Sequence, residues 1–408
     1  MKMVINAASA RIGGAVTYLS GLLHCLPGEE SGHRFVAILP EETAARFQNL
    51  PTNVRTVLTS AGRKNWLSRL WWEQVTLRRL LKRHRADVLF STGNFGMLAC
   101  PARQILLVSN AAYFSEIYQS LFVSKWRATR RLDFILRRWM VRLSVRTTDV
   151  VMAPTQATLN DLCRYMHFPA QKALVNWHGA TPGGTKPGAG NGYAGGNKPE
   201  AGRAVSLLYI SLYAEHKNLA TLLKALPLLN RSGTQKFYLR TTVDPRWEGA
   251  AWTLSHEEDQ VLLQHQDIGA WVEFVGPVDA EQAQKLYRAA DVFVFPSLVE
   301  SFGRPMVEAM DCGLPIVAAD TPVNREVLGP AALYFTPFSA KELALRVQRV
   351  IEDDDLRKRL GDIGRRRVAT YFSWQAHVHR LLEAADDPSS KSAIGVAQDY
   401  ISVSQGER

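Results

Sequence analysis

Glu300 and Glu308 bracket a Phe-Gly turn in the segment Glu300-Ser-Phe-Gly-Arg-Pro-Met-Val-Glu308. Two carboxylates around a glycine turn suit a ligand that carries both hydroxyls and phosphate. The stretch upstream, Ala290-Asp-Val-Phe-Val-Phe-Pro-Ser297, is nearly all apolar and reads as a strand buried on both faces of a parallel sheet. Leu314-Pro-Ile-Val-Ala-Ala-Asp320 reads the same way. Between them Pro305 fits the first helical position and Gly313 the position just past the last, so the sequence predicts a short helix from Arg304 to Cys312. Such a β-loop-α-β unit gathers the backbone N–H groups of Phe302, Gly303 and Arg304 at the positive end of a helix, where a phosphate can bind. Glu308, in the first or second turn, can accept hydrogen bonds from vicinal ribose hydroxyls. Glu300 then faces whatever is attached to the diphosphate. The competing reading makes Glu308 a partner of the helix dipole and Glu300 a surface charge. Their arrangement around one turn between two buried strands favours the ligand site.

These residues resemble the E-x7-E signature of the retaining glycosyltransferases of family 4. The resemblance extends over roughly residues 204 to 385 and follows the family's order through Glu273-Phe-Val-Gly276-Pro, Leu286-Tyr-Arg-Ala-Ala-Asp291, Pro296-Ser297, Arg325-Glu326-Val-Leu-Gly329-Pro-Ala-Ala332 and Tyr371-Phe-Ser-Trp374. It implies an α/β chain of the GT-B type, with two doubly wound Rossmann-like domains facing a cleft. A nucleotide-diphosphate sugar is then the co-substrate, and neither a cofactor nor a metal is expected. Leu208-Tyr-Ile-Ser-Leu-Tyr-Ala-Glu-His-Lys217-Asn-Leu is similar to the family segment in which an arginine and a lysine neutralise the donor diphosphate. Lys217 fits the lysine, whereas Leu212 stands in place of the arginine, so Arg304 or Arg11 is a candidate substitute. Donors preorganised on a leaving group matter at about 2.7–4 kcal/mol each.

Length and composition agree with this layout. A chain of 408 residues suggests two or three domains, and 46% hydrophobic residues can fill a core in each. The expected boundaries are an amino-terminal acceptor-binding domain over 1–180, a Gly/Pro-rich linker over 181–203, a nucleotide-sugar domain over 204–370, a crossover helix over 371–385 and a polar tail over 386–408. Charge separates the halves. Residues 1–180 hold 24 Lys and Arg against 10 Asp and Glu, or +14, while the remainder holds 25 against 28, or −3. Cys25, Cys100, Cys163 and Cys312 are too far apart for a CxxC pair or a dense disulfide framework, which points to a reducing cytoplasmic setting. No apolar run approaches the roughly 20 residues of a membrane span, and Met1-Lys-Met-Val-Ile-Asn leads into a strand rather than a signal peptide. A soluble chain, or one peripheral at the inner face of a membrane, is expected.

The basic half alternates short apolar strands at Met3–Ala7, Phe35–Leu39, Asp87–Ser91, Ile105–Ser109 and Val150–Ala153 with helical stretches. Ligands on such sheets bind beyond the carboxyl strand ends. After the first strand, Gly13 and Gly14 open a helix reaching Leu26, and they resemble the family's double-glycine loop facing the donor phosphates. An ordinary turn is the simpler reading of paired glycines. After the fourth, Asn110 stands where many relatives place a histidine that contacts the transferred sugar. An asparagine can orient sugar hydroxyls but cannot titrate near neutral pH, and it can equally turn the chain.

Two segments combine Trp, Leu and Arg: Arg63 through Arg83 and Lys125 through Arg146. In the second, Trp126, Phe134, Ile135, Trp139 and Leu143 are expected on roughly one helical face. Such faces pack on a sheet or rest in an anionic headgroup layer, and core packing is the expectation carried for each helix. The acidic run Glu352-Asp353-Asp354-Asp355 reads as a solvated helix surface rather than a metal site. The sequence therefore points to a retaining, metal-independent hexosyltransferase that takes a saccharide or lipid-linked saccharide acceptor in surface polysaccharide biosynthesis. In it Glu300, Lys217 and Asn110 carry the chemistry, and Gly13, Gly14, Lys217, Phe302, Gly303, Arg304 and Glu308 hold the donor. A GT-B-like sugar-nucleotide epimerase or phosphorylase is the alternative. A nucleic-acid partner finds no support beyond the basic charge.

Overall fold

The computed structural model describes residues 1–11, 13–63, 65–180, 203–231, 235–246 and 253–386. The chain divides into two compact units. Met1–Gln119, Val123–Gly179 and the segment from Ser373 onward form the first, and Ser120–Phe122 with Ala180–Phe372 form the second. The expected linker lies outside the described residues apart from Arg203, as does the expected tail apart from Asp386.

The first unit contains the strands β1 Lys2–Asn6, β2 Arg34–Pro40, β3 Val54–Thr59, β4 Val88–Ser91, β5 Arg103–Leu107, β6 Val150–Ala153 and β7 Ala173–Val175. All pair in parallel, in the order β3-β2-β1-β4-β5-β6-β7. Side chains alternate across a strand, and both faces of β1 are covered, so its centre, Met3-Val4-Ile5, is an unbroken apolar run. Met3 and Ile5 pack with Leu19, Leu22 and Leu23 of the helix Gly14–His24 and with Trp374, Val378 and Leu381 of the helix Trp374–Asp386. Val4 faces the other way, onto Trp72, Leu77 and Leu81 of the helix Trp66–His84. The carboxy-terminal helix is fastened by polar contacts as well. Tyr18 Oη lies 2.9 Å from His377 Nε2, and His377 Nδ1 lies 2.9 Å from the Trp177 carbonyl oxygen. Burial pulls His377 down to about 4.

The second unit contains β8 Val205–Tyr209, β9 Phe237–Thr241, β10 Val272–Phe274, β11 Val292–Phe295, β12 Ile316–Ala319 and β13 Ala332–Phe335. These are also parallel, in the order β10-β9-β8-β11-β12-β13. Every residue of β8, β11 and β12 is buried.

Several expectations are corrected. The sequence reading does not predict the edge strands β3 and β7, because β3 exposes Arg55, Thr56 and Leu58 with no regular alternation and β7 is only three residues long. Pro305 occupies the second helical position rather than the first, since the helix Arg304–Asp311 is capped by Gly303. The acidic run is a junction between two helices: Asp353 caps Asp354–Tyr371 by accepting from the Leu356 N–H at 2.8 Å.

The apolar stripe expected around Trp139 is split. In the helix Ala128–Thr147, Phe134, Val141 and Val145 recur at sevens and fours and are buried, as 100° per residue requires. Ile135 and Trp139 point elsewhere and are 48% and 55% exposed, joined by Leu132 and Leu136. Leu67 and Trp71 are likewise exposed on the helix Trp66–His84. No described helix is long and apolar enough to cross a membrane.

Candidate active site

β8 and β11 lie side by side where the strand order of the second sheet reverses, the position at which open parallel sheets bind ligands. The loop after β8 supplies Lys217, and the loop after β11 supplies Glu300. Lys217 Nζ donates to Glu300 Oε1 at 2.5 Å, and the two side chains are only 13% and 12% exposed. The main chain holds this pair in place. Residues Glu215–Lys217 form one tight turn that ends at Asn218 with φ +54°. Asn218 Nδ2 donates to the Pro296 carbonyl at 3.2 Å, the Leu298 N–H donates to the His216 carbonyl at 2.9 Å, and Tyr209 Oη donates to the Lys217 carbonyl at 2.8 Å. The two loops are thus tied together on either side of the ion pair. Burial, helped by the neighbouring Lys217 charge, holds the His216 imidazole well below its ordinary range, so it stays neutral.

The turn that follows depends on glycine. Gly303 adopts φ +75°, a region costing an L-residue about 1–2 kcal/mol, and a Cβ there would stand 2.3 Å from Met306 Cε. Phe302 is 2% exposed and meets Phe372 edge to face at 5.7 Å, which fixes the turn from below. Glu308 is held from two directions. Tyr287 Oη donates to its Oε2 at 3.0 Å, and Arg304 Nη2 approaches its Oε1 at 3.6 Å. Arg304 therefore turns along its own helix, and its guanidinium, 11% exposed, stands beside Glu308. Burial lowers the Arg304 pKa against the opposing pull of Glu308 and Tyr287. The sequence reading missed Tyr287. Its signal was a phenol in the helix Ala280–Ala289 immediately before β11, indistinguishable from a core residue without the fold.

Lys217, Glu300, Phe302, Gly303, Arg304 and Glu308 all belong to the second unit, while Gly13, Gly14 and Asn110 belong to the first. Gly13 caps the helix Gly14–His24 with φ +58° and ψ −141°, a backbone state open to glycine. Asn110 turns the chain: its Oδ1 accepts from the Ala112 N–H at 3.1 Å. Leu212 is 54% exposed. Neither proposed substitute for the missing arginine is spare, because Arg11 pairs with Glu42 and Arg304 with Glu308.

Residues 12–180 match the model for Glycosyltransferase Family 4, and residues 197–367 match that for Glycosyl transferases group 1. An O-antigen chain mannosyltransferase B of Escherichia coli is 32% identical over 171 residues, 41% of this chain and 42% of that relative. The match thus spans less than half the length of that curated relative. Two solved structures share the fold. Sucrose-phosphate synthase from Thermosynechococcus elongatus superposes with a TM-score of 0.69 at 20% identity, covering 94% of this chain and 98% of that one. Anabaena HepE in complex with UDP-glucose gives 0.68 at 17% identity, with coverage of 94% and 98%. Each half of the chain thus matches one glycosyltransferase family model, and the two parallel Rossmann-like sheets beneath them give the chain the GT-B fold.

Proposed function

We propose that the chain transfers a sugar, with retention, from a nucleoside-diphosphate sugar to a saccharide or lipid-linked saccharide acceptor in surface polysaccharide assembly. The observation that carries this is the buried Lys217–Glu300 pair at the switch point, next to the Gly303 turn and Glu308. In this reading the Phe302, Gly303 and Arg304 amides and the Lys217 ammonium bind the diphosphate. Glu308, held by Tyr287 and Arg304, accepts from the ribose hydroxyls, and Glu300 accepts from the donor sugar. Gly13 and Gly14 offer close backbone approach to the phosphates, and Asn110 orients a sugar hydroxyl.

The acceptor oxygen forms a bond to the anomeric carbon on the face from which the diphosphate departs. The bond between that carbon and the diphosphate oxygen breaks, and the acceptor proton passes to the leaving diphosphate. No side chain needs to act as nucleophile, and no metal is invoked, because Lys217 and the backbone dipoles meet the developing charge. The mannosyltransferase relative and the UDP-glucose complex of HepE make mannose and glucose donors the first to test. The exposed Leu67, Trp71, Leu132, Ile135, Leu136 and Trp139 of the basic unit support peripheral contact with an anionic bilayer, and the protein is proposed to act on its cytoplasmic side.

The test is a thermal-shift screen of UDP, GDP, dTDP and their sugars, since a ligand bound only by the folded chain raises its stability. Selective stabilisation by one base, followed by sugar transfer with retained anomeric configuration, is the expected outcome. Donor isomerisation or phosphorolysis without an acceptor would replace this proposal with the epimerase or phosphorylase alternative.

A further inference from the structure

The loop that carries Lys217 is fastened on two flanks. β8 lies between β9 and β11 in the sheet, so the loop after β8 has a neighbour on each side. Towards β11, Asn218 and the His216 carbonyl tie it to the loop that bears Glu300. Towards β9, it meets the chain between the end of that strand and the helix His256–Gln264.

The second set of contacts follows from extended backbone. Ala214 has φ −163° and ψ 153°, and residues two apart on such a chain project to one side. Tyr213 and Glu215 are accordingly buried, while Leu212 is exposed. The Ser211 N–H donates to Thr242 Oγ1 at 2.9 Å, and that hydroxyl donates to the Ser211 carbonyl at 2.8 Å. The Leu254 N–H donates to Glu215 Oε2 at 3.1 Å. Between these, Tyr213 Oη donates to Asp259 Oδ2 at 2.6 Å and stands 3.2 Å from Ser255 Oγ. Alternate residues of the loop, 211, 213 and 215, are thus fixed to one neighbouring segment.

The Tyr213–Asp259 bond is the costly one. Asp259 is 0% exposed, and burying a carboxylate that deeply is unfavourable. Two apolar side chains of the same shape would hold the loop at no such cost. What they would lack is direction, since a short O–H···O bond to a carboxylate fixes both distance and angle, whereas apolar surfaces can slide. Four residues further on, the same loop delivers Lys217. The Lys217 N–H donates to the Ala214 carbonyl at 2.9 Å, so the turn that presents the ammonium begins one residue past Tyr213.

We infer that Tyr213 and Asp259 are positioning residues for the transfer reaction: their hydrogen bond sets the pose of the loop after β8, and through it the place where the Lys217 ammonium meets a diphosphate. This role rests on the reading of Lys217 as a diphosphate ligand.

The test titrates UDP and GDP by calorimetry against the full chain as wild type, Tyr213→Phe, Asp259→Asn, Asp259→Leu and Lys217→Met, and as Tyr213→Phe and Asp259→Leu each combined with Lys217→Met. For the nucleotide that binds, Tyr213→Phe and Asp259→Leu should each lower affinity about fivefold, and Asp259→Asn, which keeps an acceptor for the phenol, should stay within about twofold of the wild type. In the Lys217→Met background the same two substitutions should change affinity by less than about twofold, because residues that act through Lys217 have nothing left to act on. Tyr213→Phe removes a single oxygen and decides the matter if Asp259→Leu fails to fold. Wild-type affinity in Tyr213→Phe overturns the inference. So do losses that persist in full beside Lys217→Met, which would make the pair a support of the fold alone. If Lys217→Met lowers affinity in that case, the reading of Lys217 survives; if Lys217→Met binds as the wild type does, that reading falls and the positioning role falls with it.

Discussion

The two units share one plan, a parallel doubly wound sheet with a reversal of strand order near its middle, yet different elements furnish the two reversal points. In the second unit the polar residues come from short loops: Lys217 lies eight residues past the end of β8, and Glu300 five past the end of β11. In the first they come from the flanks of two long helices, with Glu73 and Arg137 far apart in the chain. Loops tied to strand ends hold a buried cation and a carboxylate against each other. Helix flanks line a cavity of about 290 Å³ in the first unit. Polar residues on loops are brought together by strand pairing, whereas those on helix flanks are placed by how the helices pack on the sheet.

The sharpest way to break this comparison is to remove the cation of the loop-built site. Lys217→Met should lower kcat by about 10²–10³-fold, the effect of losing one preorganised donor to a developing charge, while leaving acceptor KM near the wild-type value. Steady-state kinetics with both substrates varied would check it, and a rise confined to acceptor KM would reverse the assignment of the units. Next in size, Gly303→Ala should cost about 1–2 kcal/mol from its left-handed backbone, and the crowding against Met306 should add to this. The loss should be visible in denaturant unfolding followed by a probe within the second unit.

Tyr287→Phe removes one hydrogen bond to Glu308. A loss of about 0.5–1.5 kcal/mol in nucleotide affinity is expected, whereas 2′-deoxynucleotides should bind both proteins equally. That contrast sharpens the role given to Glu308, since a merely structural phenol would weaken both ligands alike.

Two buried groups, one in each unit, should respond to acid with opposite signs. His377, in the first, is lowered from 6.5 to about 4, so the unfolded chain binds the proton more readily and stability is lost as pH falls from about 6.5 towards 4. Asp259, in the second, is raised from 3.8 to about 6, chiefly by burial, with Tyr213 Oη donating to its Oδ2 at 2.6 Å. There the folded state holds the proton more tightly, and its contribution is lost as pH rises through about 4 to 6. Asp259→Asn should therefore gain stability relative to the wild type on going from pH 4 to pH 7, as measured by chemical denaturation. A difference independent of pH would show that Asp259 does not titrate in that window.

How much of this was legible in the sequence follows from the same contrast. The run from Ala290 to Asp320 holds a strand, a glycine turn, a helix and a second strand in about thirty residues, so periodicity and punctuation located the turn and both acids. The Lys217–Glu300 contact was not legible, because it joins loops 83 positions apart that meet only when β8 pairs with β11. Arg304 was read as a free cation because its partner, four residues on, had been reserved for ribose. Glu73 was hidden by its company: between Trp72 and Leu77 it looked like one polar residue on an amphipathic helix, and only the fold shows it facing a cavity. The Trp139 stripe misled for a related reason, since that helix is apolar on both sides and only the sheet decides which side is covered.

The central claim is that a nucleoside diphosphate binds the Gly303 turn with its ribose at Glu308. Titration of UDP and GDP against the wild type and Glu308→Ala by calorimetry tests it most directly. The account predicts that one of the two binds the wild type and that the variant loses at least tenfold in affinity. Equal affinity in both proteins would contradict it.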